Sequence, residues 1–282
     1  MNLIYKIVEF LNKIRTAYRR INRPEIKWGD LVIDIGSGGV PNPRADIVCD
    51  FIEENTERGD ILKIDRPFVW ANIENLPFKD KVFDYSIVSH VLEHVEKPED
   101  ALLEIQRISK AGYIETPNAF YEYAIPHVFH VSRCTVINNK LIIFMKNQLD
   151  ETVPKEYFDI HHDMNKCWWD LHKLNALALL TIYKWKDKIN FEIYGDASCK
   201  KATESINKNQ ILKDKRCLLK KIIIKFVYLL MKPRKRIEWQ KILACPKCKG
   251  DLIIDSKLSY AQCNYCSIKF KKYKEFLDFR LP

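Results

Sequence analysis

Apolar residues in this chain come in short runs that close on small or acidic residues. The runs are Leu31-Val-Ile-Asp-Ile35, Ala45-Asp-Ile-Val-Cys-Asp50, Phe68 to Ile73, Val82-Phe-Asp-Tyr-Ser-Ile-Val88 and Ala111-Gly-Tyr-Ile-Glu-Thr-Pro-Asn118. Each has the length and composition of a buried strand bounded by turn residues. Between the last two, Pro98, Glu99 and Asp100 suit a first helical turn, and Ala101, Leu102, Ile105 and Ile108 share one helical face before Gly112. Phe51 to Pro67 is polar and Glu-rich, and reads as a loop or short helix. Strands interleaved with amphipathic helix predict an α/β fold around a largely parallel sheet. Further on, Thr135-Val-Ile137 and Leu141-Ile-Ile-Phe-Met145 flank Asn138-Asn139, a hairpin signal.

The first run ends in Gly36-Ser-Gly-Gly39 and the second in Asp50. Glycines let a ligand lie against the backbone. In open α/β sheets ligands sit beyond the carboxyl ends of the strands, and an acid after the second strand takes ribose hydroxyls. This pair indicates an adenosine-type ligand without separating a dinucleotide from other members of that class.

The next motifs separate them. Trp70-Ala-Asn-Ile-Glu-Asn-Leu-Pro-Phe78 leads into Val82 to Val95, which contains Phe83-Asp84 and Leu92-Glu-His-Val95. Over residues 29–118 the chain resembles the class I S-adenosylmethionine-dependent methyltransferases, with an xLPF turn, an FD-led fourth strand and an LEHV segment. The resemblance implies a Rossmann-like methyltransferase sheet with flanking helices. It implies that Asp34, Gly36, Ser37, Gly38 and Gly39 surround the methionine end of S-adenosylmethionine. Asp50 would hold the ribose, Asn72 the adenine amino group and Ile73 the adenine face, while Ser89 and His90 would line the pocket near the sulfonium. Two features depart from the pattern: Val40 replaces the usual third glycine, and Val40-Pro-Asn-Pro43 leaves little room for the helix that normally follows. Helix-dipole support for an anion there is therefore weak or absent.

Methyl transfer from a sulfonium is an in-line displacement governed by positioning. A hydroxyl acceptor would add the need for a base, and His94 and His90 are the candidates. For His94 a structural role, as a helix residue bonded to a backbone carbonyl, stands beside the catalytic one.

Residues 119–199 carry no motif and would form the acceptor-site region of a methyltransferase domain spanning 29–199. They hold five of the seven histidines among many aromatics. A metal site from His127, His130, His161 and Asp163 is conceivable; packing and hydrogen bonding are the commoner uses of such residues.

Charge is unevenly distributed. Of the net +10, residues 29–118 carry 9 Lys/Arg against 18 Asp/Glu, and residues 200–282 carry 22 against 7. The basic ends, not the pocket, face any anionic partner. Residues 1–28 have Ile4, Ile7, Val8, Leu11 and Ile14 at helical spacing among Lys and Arg. This basic amphipathic helix would pack on the sheet edge or lie on a membrane surface. Residues 200–240 form a basic linker whose apolar centre, Ile222 to Met231, is interrupted by Lys225. A docked linker helix, contact with an anionic leaflet and RNA binding all fit it. No run reaches the roughly 20 apolar residues of a bilayer span, and no cleavable signal pattern is present. With nine cysteines, the expected setting is cytoplasmic, with peripheral contact at the inner membrane face as an option.

Cys245-Pro-Lys-Cys248 and Cys263-Asn-Tyr-Cys266 are two knuckles that supply four thiolates for a closed, structural Zn²⁺ site. Residues 241–282 thus predict a small C-terminal zinc ribbon. Leu243 to Leu252 resembles the small zinc-ribbon proteins that activate tRNA, rRNA and release-factor methyltransferases, which implies an activator acting here in cis. For the acceptor, aromatic content and basic flanks suggest a hydroxyl of a sugar or lipid-linked glycan. The rivals are a tRNA, rRNA or protein methyltransferase and a non-catalytic scaffold with a decayed pocket. Ser89-His-Val-Leu92 stands where amide-modifying members of the resembled family carry an Asn/Asp-Pro-Pro-Tyr motif, which argues against that chemistry.

Overall fold

A computed structural model describes residues 23–51, 62–124, 126–127, 129–147, 179–196, 237–255 and 257–281. The amphipathic segment at 1–22, most of the basic linker, and His161 and Asp163 lie outside the described residues. Residues 23–30 form turns and extended chain, not helix.

The central sheet contains β1 (Val32–Ile35), β2 (Ile47–Asp50), β3 (Phe68–Trp70), β4 (Phe83–Ser89), β5 (Ser109–Pro117) and, much later in the chain, β8 (Leu180–Lys186). Their order is β3-β2-β1-β4-β5-β8. The first five are parallel, and β8 runs antiparallel along β5 from Ala111↔Lys186 to Pro117↔Leu180. The order reverses between β1 and β4, so the crevice at their carboxyl ends is the topological switch point where α/β sheets take ligands. This is the Rossmann-like methyltransferase arrangement, and the sheet bears out the α/β expectation.

All four residues of β1 are buried, as a strand covered on both faces requires. Ile33 and Ile35 join the main core with Ala101, Leu102, Ile105 and Ile108 of α1 (Pro98–Ile108). Val32 faces the other way, toward Tyr85, Ile87 and Tyr113. On that side Arg44 donates to the carbonyls of Pro24 and Ile26, and Tyr85 Oη accepts from Glu25 N at 3.1 Å. These bonds clip the segment before β1 beside the switch point. β1 passes to β2 without a helix, as the prolines at 41 and 43 lead one to expect.

Beyond α2 (Ala119–Ala124), strands β6 (Ser132–Ile137) and β7 (Lys140–Met145) form an antiparallel hairpin. Its turn residues Asn138 and Asn139 have φ of 50° and 57°, the left-handed pair of a tight hairpin turn. β9 (Phe191–Tyr194) pairs with β7 in parallel to complete a three-stranded sheet.

The C-terminal unit contains α3 (Trp239–Ile242), β10 (Leu252–Ile254), β11 (Tyr260–Cys263), β12 (Lys269–Tyr273) and β13 (Phe276–Leu277), whose strands form an antiparallel sheet. It shares the main core: Leu243, Phe270, Leu277 and Phe279 belong to the same buried cluster as Val69, Phe78 and Leu102. Its backbone also bonds to the xLPF turn, with Ala244 N donating to Pro77 O (3.0 Å) and Lys79 N to Ile242 O (2.9 Å). At the sheet edge Phe279 N donates to Trp70 O (2.8 Å). The ribbon thereby covers the exposed edge of β3, which would otherwise offer unpaired backbone groups.

Candidate functional site

A cleft opens at the carboxyl ends of β1 and β4. Asp34, Gly36, Ser37 and Ser89 line it together with Pro24, Val40, Asn42, Ile87, Tyr113 and Glu115. Four of the residues assigned from the sequence therefore meet there. Gly36 has φ +68°, and a Cβ on it would stand 2.3 Å from Val91 Cγ2, so glycine is required on both counts. Asp34 Oδ2 accepts from Asn42 N at 2.7 Å, tying the loop after the glycines back to β1. Ser37 Oγ is buried with no hydrogen-bond partner among the described residues. A buried hydroxyl left open on a cleft wall fits a polar ligand there.

Asp50, Asn72 and Ile73 do not line this cleft. Asp50 accepts from Gly38 N at 3.1 Å through one oxygen and from Phe51 N at 2.8 Å through the other, so its carboxylate pins the glycine loop. Lys63 N donates to Gly38 O at 3.1 Å and closes the loop from outside. Asn72 caps the 3₁₀ turn Ile73–Asn75, its Oδ1 accepting from Glu74 N at 3.0 Å. Ile73 is buried in the core. Gly39 follows Gly38 in a turn of this loop and does not line the cleft.

At the end of β4, His90 has φ +57°, a conformation uncommon for a non-glycine residue and often found at functional sites. The bend sets its ring between two buried carboxylates: Nδ1 is 3.3 Å from Glu93 Oε1 and Nε2 is 3.5 Å from Glu115 Oε1. Burial opposes a charge on the ring, but the close carboxylates of Glu115 and Glu93 outweigh it and raise the His90 pKa to about 9. At neutral pH His90 is an imidazolium, and it could act as a base only once it loses that proton. Glu115 is held the opposite way. Burial works against its charge, but bonds from His90 and Tyr113, and the charges of His90 and Arg23, bring its pKa to about 2. Arg23 Nη1 sits 2.6 Å from Glu115 Oε2.

His94 lies in the 3₁₀ turn Leu92–His94 and its Nδ1 is 3.2 Å from Phe129 O. This is the backbone bond of the structural reading. Its ring meets His130 edge-on, with centroids 4.7 Å apart. The four-member metal set conceived around His127 and His130 has two members outside the described residues; His130 instead shares a cluster with Glu93 and His94.

Arg23, Glu115 and Glu93 are the site residues that sequence reading missed. Glu115 carried one signal: an acid in a buried strand, two residues after Tyr113. Nothing local marks Arg23, whose role comes from chain crossing.

In the ribbon, the Sγ atoms of Cys245, Cys248, Cys263 and Cys266 all lie within 4.8 Å of one another. Cys245 and Cys266 are 3.6 Å apart, and Cys248 and Cys263 are 3.4 Å apart. Tetrahedral zinc with bonds of about 2.3 Å places its sulfurs about 3.8 Å apart, so the set fits Zn²⁺ closely. Tyr265 N and Cys266 N both point at Cys263 Sγ, at 3.4 and 3.5 Å, the outer-shell donors a thiolate needs.

Residues 44–114 match the model of the methyltransferase domain family. A demethylmenaquinone methyltransferase of Paenarthrobacter aurescens (strain TC1) is 35% identical over 104 residues, which are 34% of this chain and 41% of that relative. The chain thus spans less than half the length of that curated relative. Among solved structures, a complex of the Haloferax volcanii Trm112 methyltransferase activator with a candidate methyltransferase is 20% identical over 43% of this chain and 62% of that one, with a TM-score of 0.31. The YcgJ protein of Bacillus subtilis is 18% identical over 39% of this chain and 56% of its own, also with a TM-score of 0.31. These last two are weak likenesses, and the topology stands on the strand order of the sheet itself.

Proposed function

We propose that this chain is an S-adenosylmethionine-dependent methyltransferase, with the catalytic unit in residues 29–199 and the zinc ribbon as its support in cis. The observation that carries this reading is the cleft at the β1/β4 switch point, where Asp34, Gly36, Ser37 and Ser89 converge. When bound, S-adenosylmethionine supplies an electrophilic methyl group for in-line displacement. The residues here bind and orient. Gly36 and Gly38 admit the ligand against the backbone, and Asp34 and Asp50 hold the loop around it. Ser37 Oγ offers a hydrogen bond. Arg23, next to Pro24 of the cleft wall, is already paired with Glu115 at 2.6 Å and braces that carboxylate. His90 and Arg23 together hold Glu115 ionised next to Ser89.

For the acceptor, we carry forward a hydroxyl of a sugar or lipid-linked glycan, motivated by aromatic content and basic flanks. His94 is the remaining base candidate at neutral pH for such chemistry. A macromolecular acceptor with the ribbon as activator is the second reading, favoured by the docking of the ribbon on the xLPF turn and the β3 edge.

The test is calorimetric titration of S-adenosylmethionine into zinc-loaded protein. We expect micromolar binding that weakens at least tenfold in Asp50→Ala and Asp34→Ala. A folded, zinc-loaded protein that binds none overturns the enzyme reading in favour of a scaffold. With binding established, an acceptor screen of glycans, RNA and demethylmenaquinone follows, and methylation of RNA alone would refute the glycan acceptor.

A further inference from the structure

Beside His90 lies a second polar cluster, of which Glu93 and His130 take no part in the methyl transfer proposed above. Glu93 is 2% exposed, yet neither of its carboxylate oxygens accepts a well-formed hydrogen bond. Its nearest charge is His90 Nδ1 at 3.3 Å, close enough for an ion pair but off the geometry of a hydrogen bond. A buried carboxylate left this way costs several kcal/mol unless something further meets it. Ligand atoms of Glu93, His94 and His130 all lie within 4.8 Å of one another.

The two histidines are held in a matching way. His94 Nδ1 faces Phe129 O at 3.2 Å, and a carbonyl can only accept, so Nδ1 carries the proton. His130 Nδ1 faces Glu122 Oε2 at 2.6 Å. Glu122 is itself fixed by Lys146 Nζ at 2.5 Å on its other oxygen, so its Oε2 faces His130 as an acceptor and Nδ1 is the donor there as well. With Nδ1 as the donor, a neutral imidazole carries its lone pair on Nε2. Outer-shell carbonyls and carboxylates of this kind orient metal-bound histidines. His90 plays the same outer part toward Glu93.

We propose that Glu93, His94 and His130 bind one divalent transition-metal ion, through two imidazole nitrogens and one carboxylate. Imidazole ligands select Zn²⁺, Fe²⁺ or Co²⁺ over Mg²⁺ and Ca²⁺. Three protein ligands leave a coordination position to a non-protein oxygen, as open sites do. The sequence order hides this set, because His130 reaches Glu93 only through the chain reversal before β6, where Val131 N donates to Glu93 O at 2.8 Å.

Glu93, His94 and His130 do not line the cofactor cleft, and the test of the site does not use activity. Full-length protein, purified metal-free under reducing conditions, would be titrated with Co²⁺ and followed by absorption and by native mass spectrometry. The expected result is two ions per chain, one with the sulfur-to-cobalt charge-transfer band of the ribbon and one without it. Glu93→Gln and His130→Gln should each lose the second ion by at least tenfold in affinity while keeping the ribbon band, which also reports that the chain is folded. Conversely, Cys245→Ser/Cys248→Ser should lose the band and keep the other ion. A wild-type stoichiometry of one ion carrying the thiolate band, or a second ion that persists unchanged in Glu93→Gln and His130→Gln, would overturn the proposal.

Discussion

Replacing Glu104 tests how the ribbon is held to the central sheet. Glu104 projects from α1 and gathers four donors. Arg107 Nε reaches Oε1 at 2.7 Å, while Leu76 N (2.7 Å), Lys249 Nζ (2.8 Å) and Arg107 Nη2 (2.9 Å) reach Oε2. Its side chain is 12% exposed, so water replaces these bonds poorly. Glu104→Ala leaves the amide of the buried Leu76 without an acceptor, at about 1–3 kcal/mol. Arg107 keeps the carbonyls of Phe78 and Leu76 and the carboxylate of Asp80, which limits the rest of the loss. Together these give roughly 2–4 kcal/mol. Glu104→Gln keeps an acceptor for Leu76 and loses about 1–2 kcal/mol. Lys249→Met removes only the ribbon's partner, which is 32% exposed, for about 1 kcal/mol or less. The assay is urea unfolding of the zinc-loaded protein, with free energies compared across the three variants. Burial raises the Glu104 pKa, but the Arg107 and Lys249 bonds outweigh it and hold it below its ordinary value of 4.5. The folded pKa is depressed, so the gap between wild type and Glu104→Gln should be full above about pH 4.5 and shrink as pH falls through the folded value. An alanine variant within 0.5 kcal/mol of wild type, or a Lys249→Met loss as large as that of Glu104→Ala, would refute this account of the junction, a bound about the size of an ordinary surface substitution.

Two further outcomes follow from the same contacts. Gly36→Ala forces a Cβ to 2.3 Å from Val91 Cγ2 at φ +68°, so it should cut S-adenosylmethionine affinity by at least tenfold in calorimetry; unchanged affinity would show that the loop yields. Zinc removal with a strong chelator should release β13 and the edge contacts of Trp70, whose ring is buried against Phe68 and Tyr273. Its fluorescence should shift to the red, and unchanged emission with the metal gone would mean that the ribbon packs without it.

Much of this architecture was written locally in the chain. Strand runs, the helix opened by Pro98, the Asn138-Asn139 turn and the cysteine knuckles each depend on neighbours within a few residues, and they stand where their patterns put them, except that the third run ends as a strand at Trp70 and Ile73 opens a 3₁₀ turn. Asp34, Gly36, Ser37 and Ser89 were legible for the same reason: they sit at the ends of β1 and β4, and a parallel sheet brings those ends together. Asp50 shows the limit, since its type and position were readable but not that its oxygens turn to Gly38 and Phe51.

What the tertiary structure decided depends on register and chain crossing. β4 and β5 pair Ser89 with Glu115, which places an acid beside His90 and makes that residue a cation. A segment before β1 delivers Arg23 to the same carboxylate. The antiparallel β8 lies far along the chain and arrives next to β5 with Trp185 packed over Gly112, where any Cβ would meet its indole at 2.6 Å. The xLPF turn, one of the segments that carry the sequence resemblance, also serves as the ledge on which the ribbon's Leu243 and Ala244 rest. Periodicity is set by a residue's own backbone and speaks for single elements. A side chain's charge state and partner are set by whichever element folding lays across it.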